Sequence, residues 1–364
     1  MTCPPVYIHS VSADGAVATV SANPAYSQAT WNRNLSEPGM FTLTLAPGAW
    51  SLPWPGRYLV TADGREEVGV IEKVSFSEDG SDRSTVLSGR FAECLWSRYE
   101  LGAAGAVAEG ANWRQAVTAA LGAWHMPDLP ELSFGEGTQA ATGSSYRLAG
   151  EGGDAAADVI YSCCYANGSR PLVTYDRASG MSVLLRDGLD RTRGQSANPI
   201  AVFSLRMGSA LSTEYNGDFS TQRSQVLAHA EKGSDPDRVA VDRTLAVPGF
   251  DASAMWAGRS YEDVSSLIGQ DADPTAALVD AAGALRAYDH AAEVTCDCKV
   301  GPDGYRGWWD LGDLVEVEVE GAGVSGTARV EECRETWEGG GVTVDAAFGS
   351  KRTARRGRAG MGRR

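Results

Sequence analysis

The sequence predicts a mainly β protein interrupted by an α/β insert and a small helical segment. Three observations lead there. Residues 1–89 are short apolar stretches broken by turn signals, the pattern of a small sandwich or barrel. Near residue 90 the apolar spacing changes from alternation to a helical repeat. Alternation then returns, and "LGDLVEVEVEGAGVSGTARVEECRETWEGGGVTVDAAFG" (311–349) nearly repeats "PGRYLVTADGREEVGVIEKVSFSEDGSDRSTVLSG" (55–89).

Taken in order, Phe41, Leu43 and Leu45 alternate with Thr42 and Thr44, which gives one buried and one wet strand face. Asp63-Gly64 and Asp79-Gly80 supply the positive φ of tight hairpins. Phe91, Leu95 and Tyr99 are spaced by four, as are Trp113, Val117 and Leu121, with Trp124 completing the face and Asn112 as N-cap. A further helix runs from Asp154 to Gly168. "RPLVTYDRASGMSVLLRD" then reads as a hairpin turning at Arg177 to Gly180. "IAVFSLRM" and "SQVLAHAE" are strands. Asp273-Pro274 opens a helix with Leu278, Ala281, Leu285 and Tyr288 on one face, since proline at the first helical position lacks only an N–H that needs no partner there. "EVTCDCKV" follows, and then Val315, Val317 and Val319 face one way while Glu316, Glu318 and Glu320 face the other. In the near-repeat Gly56 aligns with Gly312, Gly69 with Gly326 and Gly89 with Gly349. The alternatives are a true structural repeat or two unrelated meanders.

The 364 residues imply several units of about 100–150 residues. The hydrophobic share of 43% is ordinary, and no apolar run approaches the roughly 20 residues that span a bilayer. "MTCPPVYIHSVSADG" has neither a basic nor an apolar signal region, so synthesis and assembly in a cytoplasm are expected. Seven scattered cysteines, an odd number, argue for reduced thiols. The net charge is −15, but "KRTARRGRAGMGRR" holds seven basic residues and no acid, leaving −22 on residues 1–350. Such a body repels nucleic acid. The basic tail itself suits nucleic acid, solvation, or an acidic neighbouring protein.

No catalytic, metal or cofactor set stands out. His9, His125, His229 and His290 show no paired ligand spacing. Cys296 and Cys298 share a strand face with Val294 and Val300, where a thiol acts as a small hydrophobe, and Cys163-Cys164 has no second pair to complete a site. Glu316, Glu318 and Glu320 offer one row of carboxylates rather than the six to eight oxygens that wrap a calcium ion. Asp187 and Asp190 are either an acid–base pair or a polar loop. The Gly-rich residues 135–153 match no phosphate-binding fingerprint.

The stretch "ATWNRNLSEPGMFTLTL" resembles the siphophage central tail-hub or baseplate-hub family, Gp37-like and related to the N-terminal regions of tail-associated lysins. The resemblance rests on Trp31, Arg33, Leu35, Pro38, Gly39 and Phe41, then Gly69, Ile71 and Glu72, then Gly89, Arg90, Leu95 and Arg98. "GLDRTRGQSANPIAVFSL" and "WWDLGDLVEVEV" through "VTVDAAFG" extend it over most of residues 6–349.

The resemblance implies a baseplate-hub fold of two related small β-barrels. Residues 1–99 would be the first barrel, 100–195 the inserted α/β domain, 196–259 strands linking or completing the barrels, 260–292 the helical segment, 293–350 the C-terminal strands of the second barrel and 351–364 a basic tail. It further implies a non-enzymatic homotrimer at the virion tail tip that closes the tail tube and joins sixfold rings to threefold tip components. Its expected partners are a distal tail ring protein, the tape-measure protein, lower tail-tip or receptor-binding proteins, and the host envelope at infection, while genome DNA passes without specific binding. Glu316, Glu318 and Glu320 would line an acidic channel or form an outer wet face. The rival readings are a cell-wall-degrading peptidase or glycosidase, which lacks a visible catalytic set here, and a carbohydrate-binding β module.

Overall fold

The computed structural model describes residues 3–349 except 54, 80–81, 104, 126–131, 135–145, 151, 179, 219, 221, 232–239, 248–249, 251, 254, 266–273, 288–292 and 301–303. The expectations for Gly80, Asp273, Tyr288, His290, most of the Gly-rich stretch and the basic tail lie outside the described residues, as do the side chains of Leu278, Ala281, Leu285 and Val294. The chain forms two compact units, one of Met1–Glu214 with Cys296–Phe348 and one containing Tyr215–Thr295.

The larger unit begins with β1 (Val6–Val11), β2 (Val17–Ala22), β3 (Tyr26–Asn34), β4 (Met40–Leu45), β5 (Tyr58–Ala62), β6 (Gly69–Val70), β7 (Lys73–Asp79) and β8 (Asp82–Arg90). β4 alternates as its sequence demands, with Phe41, Leu43 and Leu45 buried. A 3-10 helix spans Ala92–Arg98, where the four-residue spacing predicted an ordinary helical face. The tighter turn buries Trp96 and also Glu93.

Next come β9 (Ala106–Gly110), α1 (Trp113–Ala123), β10 (Leu132–Phe134), β11 (Tyr146–Gly150), α2 (Ala156–Ala166), β12 (Ser169–Asp176) and β13 (Gly180–Asp187). Asn112 caps α1 as its sequence position predicts, accepting from Gln115 N at 3.0 Å, while the Gln115 side chain accepts from Ala111 N at 2.8 Å. β12 and β13 pair from Ser169↔Asp187 to Asp176↔Gly180, which is the expected hairpin. Both helices pack in one apolar cluster with Trp96, Leu121, Ile160 and Tyr161.

The unit continues with β14 (Val202–Ser204), and β15 (Ser212–Asp218) starts within it. The smaller unit holds β16 (Gln225–Glu231), β17 (Ala240–Ala246), β18 (Arg259–Asp263) and α3 (Ala276–Ala287), with Ala228, Ala230, Val264, Val279 and Ala282 as its core. Gly283 lets α3 approach that sheet closely, for an added Cβ would lie 2.5 Å from Leu245 and 2.7 Å from Ala228. The chain closes with β19 (Glu293–Val300), β20 (Leu314–Val319), β21 (Val324–Glu338) and β22 (Gly341–Gly349).

The two expected barrels are not formed: among the described residues no sheet closes on itself. The segment 55–89 is divided between two sheets, because β5 and β6 join a four-stranded sheet in the order β2-β1-β5-β6 while β7 and β8 leave for another. The segment 311–349 stays whole in that other sheet, which has ten strands in the order β15-β19-β22-β21-β3-β4-β8-β7, with β20 beside β21 and β14 beside β20. The N- and C-terminal meanders therefore share one open sheet joined at β3–β21. Alternation and hairpin signals are identical for open and closed sheets, and only the identity of the partner strand decides closure. The aligned glycines also do different work. Gly312 has φ +91, whereas Gly56 does not lie at positive φ; a Cβ on Gly89 would meet Val70 O at 1.8 Å, whereas Gly349 has φ +110.

Candidate functional site

On β3, Trp31 and Arg33 point the same way, and both are buried, as is Leu35 just past the strand's end. On the neighbouring β21, Cys333, Glu335 and Trp337 do the same, paired so that Cys333 lies opposite Arg33 and Glu335 opposite Trp31. Strand parity thus carries one charge from each strand into an apolar layer, where Trp31 stacks on Trp337 at 5.4 Å and contacts Phe91 at 4.9 Å. A buried charge persists only with partners. Glu67, fully buried, supplies the first: its Oε1 is 2.6 Å from Arg33 Nε, its Oε2 accepts from Arg306 at 2.9 Å and from the Trp31 indole at 3.3 Å, and Arg170 reaches it at 3.4 Å. Glu335 accepts from Arg65 at 2.5 Å, from Arg306 at 3.1 Å and from the Trp337 indole at 3.0 Å. Arg33 also pairs with Asp310 and donates to the Tyr305 hydroxyl at 3.0 Å.

Burial alone would raise the Glu67 carboxyl, but Arg306 and Arg33 beside it hold it well below the usual carboxylate range. Asp310 is likewise held low by Arg33 against burial. Four arginines and three carboxylates from β3, β12, β21 and two loops form one ionic brace. It fixes the β3–β21 register, since a one-residue slip of either strand would turn Arg33 or Glu335 to the other face and away from its partners.

Beside it runs a second contact. Gly188 passes so close to Gly312 that an added Cβ would stand 1.7 Å from the Gly312 carbonyl oxygen. Arg191 pairs with the buried Asp313, which also accepts from Leu189 N at 2.7 Å and Asp310 N at 2.9 Å. Gly188→Ala must push these backbones apart. It is expected to cost about 1–3 kcal/mol, read as a lower urea midpoint, and an unchanged midpoint would show that the approach is slack.

The remaining motif positions are structural as well. Glu72 accepts from Arg90 at 2.8 Å and Arg98 at 2.9 Å, and the Arg90 hydrogen bond, foremost, brings its carboxyl down to about 2. Gly39 and Gly69 clear room for the Phe91 and Phe41 rings, which a Cβ would approach to 2.7 and 2.5 Å.

The candidate residues from the sequence do not converge. His9 is buried between Thr19 and Thr61, 3.1 and 2.9 Å away, and burial lowers its pKa. His229 bonds to Asp242 at 2.6 Å and Glu231 at 3.2 Å, and the Asp242 bond foremost raises its pKa. Cys163, Cys164, Cys296 and Cys298 are buried, the last two with sulfurs 3.9 Å apart. Asp187 pairs with Arg114, whereas Asp190 bonds to Thr192. Among the described residues no group of three or more His, Cys, Asp or Glu side chains could hold a metal ion. The glutamate row is countered by arginines: Arg193 lies 2.8 Å from Glu316, and Arg206 lies 3.2 Å from Glu318 and 3.0 Å from Glu320.

Arg206 thereby pins a turn after β14, which Gly208 (φ +73) and a Ser209 Oγ bond to Ser204 N at 3.0 Å also hold. That turn and the residue beyond it present Leu205, Met207 and Leu211 to solvent, the last 65% exposed.

The fold is shared with phage tail proteins. The chain is similar to the tail protein from Neisseria meningitidis MC58, with a TM-score of 0.60 and 14% identity over 96% of this chain and 97% of that one. It is similar to the 43 kDa tail protein of prophage MuSo2 from Shewanella oneidensis, with a TM-score of 0.59 and 13% identity over 94% and 98%. It is also similar to the prophage tail protein gp18 from Listeria monocytogenes EGD-e, with a TM-score of 0.58 and 10% identity over 97% and 96%. No curated protein matches by sequence. The sequence profile described as Siphovirus ReqiPepy6 Gp37-like protein matches residues 153–350, more than half of the chain and both halves of the Gly188–Gly312 contact. The chain belongs to this Siphovirus ReqiPepy6 Gp37-like family.

Proposed function

We propose that the chain is a structural, non-catalytic hub at the tip of a phage or phage-like tail, assembled in the host cytoplasm as a homotrimer that closes the tail tube. Family membership is the observation that carries this reading. Two features of the chain support it. The pinned apolar side chains Leu205, Met207 and Leu211 suit a contact with a second copy, because a rigid knob loses little entropy on docking. The body, at −22 without residues 351–364, suits a passage for DNA, which a basic wall would retain through counterion release. Glu316 and Glu318, matched by Arg193 and Arg206, contribute little to that repulsion. A distal tail ring, the tape-measure protein and lower tip or receptor-binding proteins are the neighbours such a hub would hold.

Light scattering of the purified full chain is expected to give three times the chain mass, and Leu211→Asp is expected to lower it to one without shifting the melting temperature. A wild-type chain that stays monomeric at every concentration, and also when mixed with its tail neighbours, would refute the trimeric hub.

A further inference from the structure

The smaller unit carries a cleft of about 630 Å³ between the chain before β16 and the chain before β18. Its polar side is built from Ser220, Gln222 and Arg223, and its apolar side from Met255 and Trp256, with Gly258 at its base. Trp256 is 97% exposed, so its indole face is open to solvent. Gln222 is 7% exposed, and its side-chain nitrogen is buried with no hydrogen-bond partner. Arg223 donates only to the backbone carbonyls of Gln222, at 2.7 Å, and Ser220, at 3.5 Å, and no carboxylate faces it among the described residues. A Cβ on Gly258 would come within 2.9 Å of Arg223 Cδ, so the glycine makes room for that side chain.

We propose that this cleft binds an anionic saccharide. The polar wall offers a guanidinium, so the ligand must bring acceptors, and a carboxylate or phosphate suits its plane. The apolar wall is an indole, which takes the C–H face of a sugar ring and leaves the ring's hydroxyls for the donors. The volume lies within the range of about 300–1,000 Å³ usual for small-ligand sites. A protein partner fits less well. The large hydrophobic side chains exposed among the described residues of this unit are Trp256 and Tyr261, too little for the apolar centre of an interface. The inference does not depend on the hub reading.

The test is calorimetric titration of the full chain with trigalacturonate as carboxylate source, glucose 1-phosphate as phosphate source and maltotriose as neutral control. At least one anionic probe is expected to bind with a Kd below about 10 mM, with affinity falling as salt is added and maltotriose weaker by about tenfold or more. Trp256→Ala and Arg223→Ala are each expected to weaken that probe by about tenfold, the change of the exposed tryptophan without moving the melting temperature. Equal binding by the variants, no binding of either anionic probe, or an oligomer that dissociates on Trp256→Ala would overturn the proposal, the last by showing that the indole is a protein contact.

Discussion

Glu67→Gln is expected to lower the stability of the protein by about 3–5 kcal/mol, the range for removing one partner from a buried charge cluster. The substitution keeps the side-chain volume and removes one negative charge from a site where Arg33, Arg306 and Arg170 converge. Arg33 keeps Asp310 and Arg306 keeps Glu335, but the brace is left with two carboxylates for its four arginines. Nothing in the apolar layer of Trp31 and Trp337 screens the excess. The measurement is urea unfolding, in which the midpoint falls while the slope is unchanged. Glu72→Gln is the contrast, because its pairs with Arg90 and Arg98 are partly exposed and water screens them, and its cost is expected to stay near or below about 1 kcal/mol. Equal losses for the two variants would mean that burial is not what gives the Glu67 cluster its weight.

Of that brace only Arg33 was legible in the sequence. Trp31-x-Arg33-x-Leu35 belongs to the family pattern, and its meaning lies in parity: a charge between two apolar residues that face one way must enter the core and find a partner. Cys333-x-Glu335-x-Trp337 carries the same signal from the other side, and sequence reasoning passed over it. Glu67 and Arg306 sit on loops with no period to betray burial. Only the β3–β21 pairing brings them within reach of Arg33, and pairing between distant strands has no local signature. For the same reason the N-cap Asn112, the hairpin at residues 177–180 and the inward valines of β20 were legible, whereas the single open sheet in place of two barrels was not.

The open sheet changes how the chain's near-repetition is understood. Only β7 and β8 of the first segment share a layer with the second, on the far side of β3 and β4 from β21 and β22, so the near-repetition does not mark duplicated closed bodies. The family signatures that look scattered in sequence, around residues 31–41, 69–98, 188–203 and 309–349, become neighbours along that layer through Arg33–Asp310, Arg191–Asp313 and Gly188–Gly312. A protein that must hold its shape as a joint within a larger assembly gains from such specificity, because ionic registry excludes slipped pairings that a purely apolar layer would tolerate.

A second large effect is expected with pH. Glu93 points from the 3-10 helix into the cluster of Trp96, Leu121, Ile160 and Tyr161, where its Oε1 accepts from Val173 N at 2.6 Å. Burial, the foremost cause, raises its carboxyl to about 7, with nearby Glu67 adding to the rise; the Val173 hydrogen bond and the Arg170 charge oppose it. The folded state therefore holds this proton more tightly than the unfolded chain does. The stabilisation is complete below the unfolded value of about 4.5 and is lost as pH rises through about 7, which corresponds to about 3 kcal/mol between those limits. Glu93→Gln keeps an oxygen for Val173 N and cannot ionise. Its stability should match the wild type near pH 4 and exceed it by about 3 kcal/mol at pH 8, so that the difference between the two urea midpoints grows with pH. A difference that is constant from pH 5 to pH 8 would mean that Glu93 titrates outside this window, and that Arg170 compensates its charge more fully than the distances in this core imply.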